Sequence, residues 1–237
     1  MTRIDVSPTD AESQQLWLAV RDLANSLPGD WVLIGGLMVQ LHAMEHGIAD
    51  VRVTRDIDIL GQARPPGPLS AIDEALRANG FGLIELDADG FAYRYERGDT
   101  VVDVLAPDGI NPPPTLGGGL KAVGVPGGTQ ALKRSEIVTV RVAEAEFRLR
   151  RPTLLGAILI KSRSITRHAD PEAQREDLLR LLALVPDPSA MAREIRPTER
   201  KWLRRAEVAL DFDGPTTLDA DIVRLARLTY LRLLAVS

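Results

Sequence analysis

The 237-residue chain contains no cysteine, which excludes disulfides, thiolate metal sites, iron–sulfur clusters and cysteine nucleophiles. Aromatic side chains make up only 4% of it, and no uninterrupted apolar run approaches the ~18 residues of a membrane-spanning helix. The first fifteen residues are polar and acidic and lack the layout of a signal peptide. We therefore expect a cytoplasmic protein with no membrane partner.

The net charge of −4 is unevenly distributed along the chain. Residues 1–149 contain 13 Lys/Arg against 21 Asp/Glu, whereas residues 150–209 contain 13 against 8. A basic segment often binds a polyanionic partner such as RNA. Solvent-exposed helix faces explain the positive charge equally well. The basic side chains of this segment include Arg163, Arg167, His168, Arg193, Arg196, Arg200, Lys201, Arg204 and Arg205.

Hydrophobic periodicity divides the chain into two parts. Residues 1–150 combine helical stretches with short strand-like runs, and Asp89-Gly90 and Gly98-Asp99 are typical hairpin turns. The stretch 107–128 is rich in glycine and proline and is expected to form a long loop. From residue 151 the pattern is helical, with helices expected over 154–164, 171–184, 190–210 and 218–236. The sequence thus predicts an α+β domain over 1–150 and a helical C-terminal domain over 151–237.

Two carboxylates stand close together in the run Asp56-Ile57-Asp58. In an alternating strand, Asp56 and Asp58 project from the same face and repel each other unless a cation lies between them. Mg²⁺ prefers such hard oxygen ligands, together with substrate phosphates. Gly35-Gly36, at the end of a strand and the start of a helix, would let a phosphate approach the backbone N–H groups.

Asp103 is the natural third ligand of such a site. It interrupts the otherwise apolar run Val101–Leu105, where a charge is costly unless it is compensated. A salt bridge within the strand would also provide that compensation. The preceding glycine turn and aspartate pair favour a metal site formed by Asp56, Asp58 and Asp103.

These motifs, in this order, resemble the active-site pattern of the polymerase-β-like nucleotidyltransferases. The pattern comprises Gly35-Gly36, then Arg52-x-Thr54-x-Asp56-x-Asp58, then Asp103. Within that superfamily the order of elements looks most like the AbiEii/MenT group of bacterial toxins. The run Arg175-Glu176-Asp177 resembles the group's lysine- and aspartate-rich helix, except that Glu176 replaces the usual lysine.

The resemblance implies a mixed sheet with flanking helices, followed by a C-terminal helical bundle that completes the nucleotide and acceptor site. It implies transfer of a nucleotide from a nucleoside triphosphate, aided by two Mg²⁺ ions, or Mn²⁺, on Asp56, Asp58 and Asp103. The acceptor would be tRNA, and the partner a cognate antitoxin. The implied nucleotide-binding residues are Gly35, Gly36, Arg52, Thr54, Arg55, Lys161 and Arg163.

Lys161 is the expected contact for the triphosphate. It follows the apolar run Leu154–Ile160, so we expect its helix to be anchored in the core while its ammonium group extends outward. An ordinary surface lysine at the edge of an apolar face is the alternative. Asp177 is expected to orient Lys161 or another active-site cation.

Two alternatives to an RNA-modifying toxin remain open. The same chemistry could act on a small cationic acceptor, as in aminoglycoside nucleotidyltransferases, which suits the acidic first half of the chain. Alternatively, the chain could be an inactive nucleotide-binding or regulatory module. Retention of three mutually repelling aspartates argues against that second alternative.

Overall fold

A computed structural model describes residues 2–29, 31–48, 52–62, 68–86, 90–165 and 171–235. The chain forms two compact units, Met1–Pro152 and Thr153–Ser237. The first unit combines sheets and helices, and in the second the described residues are organised as helices. The α+β class expected from the sequence is confirmed.

The described residues of the first unit form two sheets. Their strands are β1 (Arg3–Val6), β2 (Val32–Leu33), β3 (Asp56–Leu60), β4 (Gly82–Leu86), β5 (Phe91–Arg97), β6 (Thr100–Pro107), β7 (Lys121–Ala122), β8 (Gly124–Val125), β9 (Ser135–Val142) and β10 (Ala145–Pro152). The larger sheet has the order β2-β3-β6-β5-β4, with β7 beside β5 and β8 beside β6. The smaller sheet has the order β1-β9-β10.

Four helices of the described ranges accompany these sheets: α1 (Ala11–Ser26), α2 (Gly35–Glu45), α3 (Pro68–Ala78) and α4 (Gly128–Lys133). Asp10 caps the N-terminus of α1, and its carboxylate accepts a hydrogen bond from the Ser13 N–H at 2.7 Å. Such an N-cap stabilises a helix by about 1 kcal/mol. Helix α2 is buried on nearly all sides, from Gly36 to Ala43.

Alternation along β3 and β6 separates the core from the face that carries the acidic side chains. Ile57 and Ile59 of β3 and Val102 of β6 are fully buried in the apolar core. Each such side chain contributes about 1.5–3 kcal/mol by leaving water. Since successive side chains of a strand point to opposite faces, Asp56 and Asp58 are directed away from that core.

In the described part of the second unit the helices are α5 (Leu154–Ser164), α6 (Pro171–Ala183), α7 (Pro188–Glu194), α8 (Pro197–Leu210) and α9 (Ala220–Ala235). The single helix expected over 190–210 is wrong, because the chain leaves the helical conformation at Ile195 and restarts at Pro197. Proline has no N–H and suits the first turn of a helix, where that donor has no partner. No helix in the described ranges is long and apolar enough to cross a membrane.

The loop expected over 107–128 is only partly correct. It contains β7 and β8, which pair with β5 and β6 in parallel. Strand β1 and helix α4 were also not expected. These pieces are two to six residues long, and such short elements depend on tertiary pairing more than on local pattern.

Candidate functional site

A row of charged side chains crosses the larger sheet. Asp58 of β3 lies opposite Asp103 of β6 in the parallel register, and Asp103 lies opposite Arg94 of β5 in the antiparallel register. Adjacent strands are ~4.8 Å apart, so these three side chains are immediate neighbours on one face. Asp56 lies two residues before Asp58 on the same face. The sheet thus brings together all three aspartates that the sequence singled out.

Arg94 binds Asp103 through two parallel hydrogen bonds. Its Nε donates to Asp103 Oδ1 and its Nη2 to Asp103 Oδ2, both at 2.8 Å. The same Nη2 lies 3.9 Å from Asp56 Oδ2. The Asp103 side chain is only 9% exposed, against 33% for Arg94. The guanidinium group therefore compensates a nearly buried carboxylate in the fork geometry that makes such pairs strong.

The turn at Gly35 lies directly against Asp58. Gly35 has a φ of +70°, and a Cβ at this position would lie 1.7 Å from Asp58 Oδ2. The Ile34 N–H donates to the Asp58 carbonyl oxygen at 3.0 Å, which joins the turn to β3. Only glycine satisfies both the backbone conformation and the close approach. The first residue of α2 thus leaves room for the Asp58 carboxylate.

Residues 52–55 form an arm held against the start of α2. A Cβ on Gly36 would lie 2.8 Å from Thr54 Oγ1, so this second glycine also permits a close approach. Thr54 Oγ1 donates to Asp56 Oδ1 at 3.0 Å. The Gln40 side chain donates from Nε2 to the Arg52 carbonyl oxygen at 2.9 Å. These contacts position the predicted phosphate-binding residues beside the aspartate pair.

A cavity of about 480 Å³ opens at this arm. It is lined by Arg52, Val53, Thr54, Arg55, Asp56, Arg94 and Val101. Arg55 also lies 3.3 Å from Glu12, but both side chains are mostly exposed, so that pair contributes little. The three arginines could bind an anion, and the neighbouring aspartate could bind a cation that accompanies it. The cavity is therefore suited to a polyanion with a bound cation.

Tyr95 anchors the strand that carries Arg94. On the opposite face of β5, its hydroxyl donates to Asp73 Oδ1 of α3 at 2.5 Å. Arg77 also donates to the Asp73 carboxylate. Burial and this hydrogen bond raise the pKa of Tyr95 far above its ordinary value, so the phenol remains a donor. The anchor holds β5, and with it the backbone of Arg94, in place.

In the second unit Lys161 is buried rather than extended into solvent, so the expected outward orientation is wrong. Its Nζ lies 2.8 Å from Asp177 Oδ2 and donates to Gln174 Oε1 at 2.9 Å. The Lys161 side chain is 6% exposed and that of Asp177 is 3% exposed. The structure therefore brings Lys161 and Asp177 together as an ion pair, while their roles toward a nucleotide stay predictions.

The two residues before Asp177 hold a different segment of the second unit. Arg175 donates to the carbonyl oxygens of Leu210, Asp211, Gly214 and Pro215. It thereby binds the C-terminal end of α8 and the loop that follows.

Glu176, which departs from the family pattern, accepts hydrogen bonds from Thr216 and Thr217. Burial by itself raises the pKa of Glu176, but these hydrogen bonds outweigh it and lower that pKa below its ordinary value. Glu176 therefore serves as a structural anchor for residues 216–217.

The basic residues of the second unit have different surroundings. The Arg163 guanidinium lies 4.5 Å from the centre of the Trp202 ring, a cation–π contact. Arg200 donates to the carbonyl oxygens of Ala192 and Leu233 and so joins three helices. Lys201, Arg204 and Arg205 are exposed. Arg167 and His168 lie outside the described residues.

The donor chemistry of the first unit fits a hard divalent cation, but the arrangement is incomplete. Asp56 and Asp58 share a face, and the glycine at position 35 lets the Asp58 carboxylate lie directly against the turn. Yet across the described ranges no three acidic or histidine side chains converge as a ready-made metal-binding group. Arg94 explains this for Asp103, because both oxygens of that carboxylate accept its hydrogen bonds. Asp56, Asp58 and Asp103 are the side chains of this face that could hold such an ion.

Arg94 is the site residue that the sequence analysis missed. The sequence signal that could have identified Arg94 is the two-residue turn at Gly98-Asp99, which pairs Arg97 with Thr100 across the hairpin. Counting back three pairs along this hairpin places Arg94 opposite Asp103. Gly98 has a φ of +57°, as the first central position of a type II′ turn requires.

The fold is similar to that of a known protein. The crystal structure of an antigenic nucleotidyltransferase-like protein from Paracoccidioides brasiliensis matches with a TM-score of 0.53. The two proteins are 15% identical, and the match covers 94% of this chain and 95% of that chain. No protein-family model matches the sequence, and no curated protein is significantly similar to it. The chain therefore has a nucleotidyltransferase-like fold, and its membership of the AbiEii/MenT group stays a prediction.

Proposed function

We propose that the protein is a Mg²⁺-dependent nucleotidyltransferase that uses a nucleoside triphosphate. The main support is the cross-strand pair of Asp58 and Asp103, together with Asp56, which lines a cavity with three arginines. Nucleotidyl transfer needs carboxylates for metal ions and positive groups for phosphates, and both are present here. The nucleotidyltransferase-like fold of the chain is consistent with this chemistry.

In this proposal Asp56 and Asp58 would hold a divalent ion near the triphosphate. When bound, Mg²⁺ would neutralise phosphate charge and favour deprotonation of the acceptor hydroxyl. Arg52 and Arg55, which line the cavity, would bind phosphate oxygens. Asp103 would act on the side of the attacking hydroxyl. The protein's contribution is mainly positioning and charge, since phosphoryl-type transfer demands little covalent chemistry from the enzyme.

The sequence motifs support an RNA acceptor, with tRNA as the first candidate, and a toxin role with a cognate antitoxin as partner. Their order resembles the AbiEii/MenT group, and residues 150–209 are basic. The same resemblance assigns a triphosphate contact to Lys161 and Arg163. Lys161 already has its own counter-ion in Asp177, so this contact would be made by an ion pair rather than by a solvated lysine.

The decisive experiment is a transfer assay with each of the four α-labelled nucleoside triphosphates, total RNA and Mg²⁺. We expect label in the tRNA fraction with the wild-type protein. Asp58→Asn keeps the shape of the side chain but removes its charge, and should reduce transfer by about 10²–10³-fold. Glu96→Gln, an exposed carboxylate on β5, is the matched control and should leave transfer unchanged. Label on an aminoglycoside but never on RNA would contradict the RNA acceptor and favour the small-molecule alternative.

The exposed basic residues of α8 provide a second prediction, on RNA binding. The double variant R204Q/R205Q should weaken tRNA binding and reduce the slope of log K against log [salt] by about 1–2, because each lost phosphate contact removes about one released counter-ion. Arg200 is unsuitable for this test because it joins helices. Arg224→Gln removes an exposed arginine of α9 that pairs with Asp221, and serves as the control. An unchanged slope in R204Q/R205Q would assign these residues to a solvated face.

A further inference from the structure

We propose that Arg94 is a positioning residue that serves as the internal counter-ion of Asp103 and keeps divalent cations off that carboxylate in the free protein. The inference rests on the proposed function and concerns the regulation of the same site. It means that a metal ion binds Asp103 only when Arg94 exchanges its carboxylate partner for another anion.

The first step of the argument is that Asp103 needs a positive partner. Its side chain is 9% exposed and lies in the cross-strand row beside Asp58. Two neighbouring carboxylates repel each other, and a nearly buried carboxylate without a counter-ion is strongly destabilising. Arg94 provides the compensation with a fork of two hydrogen bonds at 2.8 Å.

The second step is that Arg94 and a metal ion compete. The guanidinium group engages both oxygens of Asp103, and its Nη2 also lies 3.9 Å from Asp56 Oδ2. A divalent ion held by Asp56 and Asp103 would occupy the space between these carboxylates and meet a like charge there. Binding of that ion therefore requires the guanidinium to move.

The third step is that the cavity offers Arg94 another partner. Arg94 lines the same cavity as Arg52 and Arg55, so a phosphate bound there lies within the reach of all three arginines. Phosphate accepts the same two parallel hydrogen bonds from a guanidinium group as a carboxylate does. A phosphate in the cavity thus releases Asp103 for the metal ion, and binding of the two ligands is coupled through Arg94.

Mn²⁺ titration of the nucleotide-free protein, by calorimetry and by electron paramagnetic resonance of the bound ion, tests this inference. Arg94→Gln should bind Mn²⁺ about 10–100-fold more tightly than wild type, the range over which outer-shell partners alter metal affinity. Arg94→Lys keeps the positive charge but cannot form the two parallel hydrogen bonds, and its Mn²⁺ affinity should remain within about threefold of wild type. Adding Asp103→Asn to R94Q should abolish the gain, which would locate the additional binding at Asp103. Arg97→Gln removes an exposed arginine three residues further along β5 and should change nothing.

Inorganic phosphate tests the coupling. Phosphate should tighten Mn²⁺ binding to wild type more than to R94Q. Phosphate and Mn²⁺ also associate in solution, but to the same extent in both titrations, so comparing the two proteins removes that contribution. Equal effects in the two proteins would overturn the coupling.

Failure of the inference and failure of the proposed function give different results. If wild type binds Mn²⁺ and Asp58→Asn abolishes binding, but R94Q binds no more tightly, the role of Arg94 is overturned and the metal site stands. If neither wild type nor R94Q binds Mn²⁺, both are overturned.

Discussion

Replacing Lys161 by methionine should lower the free energy of unfolding by about 3–5 kcal/mol, because the substitution removes the buried ammonium group that pairs with the Asp177 carboxylate. The two groups are 2.8 Å apart, with side chains that are 6% and 3% exposed. Gln174 retains its amide but loses the ammonium donor to its Oε1. Urea denaturation followed by circular dichroism would measure the loss in the helical second unit.

A double-mutant cycle separates the ion pair from the packing of the methylene chain. The variant K161M/D177L removes both charges and should recover most of the stability lost in K161M, because apolar replacements of a buried pair are often tolerated. Lys201→Met, on the exposed surface of α8, is the control and should change stability by less than about 0.5 kcal/mol. A K161M protein as stable as the control would show that the ammonium group is solvated after all.

Substituting alanine for Gly35 should both destabilise the first unit and disable the aspartate site. The added Cβ would lie 1.7 Å from Asp58 Oδ2, and Gly35 has a φ of +70°. The backbone conformation alone costs about 1–2 kcal/mol for a residue with a Cβ. The clash displaces either the turn or the carboxylate, so we expect a total loss above about 2 kcal/mol and transfer activity reduced at least as far as in Asp58→Asn.

Gly47 offers a matched control for Gly35. Its φ is +75°, yet a Cβ there would meet nothing within 4 Å. Gly47→Ala therefore carries the conformational cost without the clash and should retain both transfer and Mn²⁺ binding. Equal behaviour of the two alanine variants, in stability and in Mn²⁺ affinity, would refute the role of the Gly35 turn in making room for Asp58.

Local pattern was sufficient for the elements that carry the aspartates. Alternation of polar and apolar residues in 56–60 predicts both the strand and the common face of Asp56 and Asp58, because the side chains of a strand have a period of two. The helical pattern over 154–164 likewise predicted the bounds of α5. Local pattern did not predict which side chain pairs with each charged group.

Lys161 shows why the partners could not be predicted. The sequence places it at the end of an apolar run, where a long side chain usually reaches solvent. Lys161 is buried because α6 packs against α5 and places Gln174 and Asp177 within hydrogen-bond distance of its ammonium group. Gln174 is 13 and Asp177 is 16 positions from Lys161, so no periodicity within α5 predicts these contacts.

The sequence by itself determined the chemical inventory of this protein: a chain without cysteine, three aspartates on strands and glycines at a strand–helix turn, ordered as in nucleotidyltransferases. Only the tertiary structure decided the state of each charge. It paired Asp103 with Arg94 and buried Lys161 against Asp177. The physical reason is that a charged group leaves water only where strand register or helix packing supplies its counter-ion, and both are set by contacts between elements rather than within them.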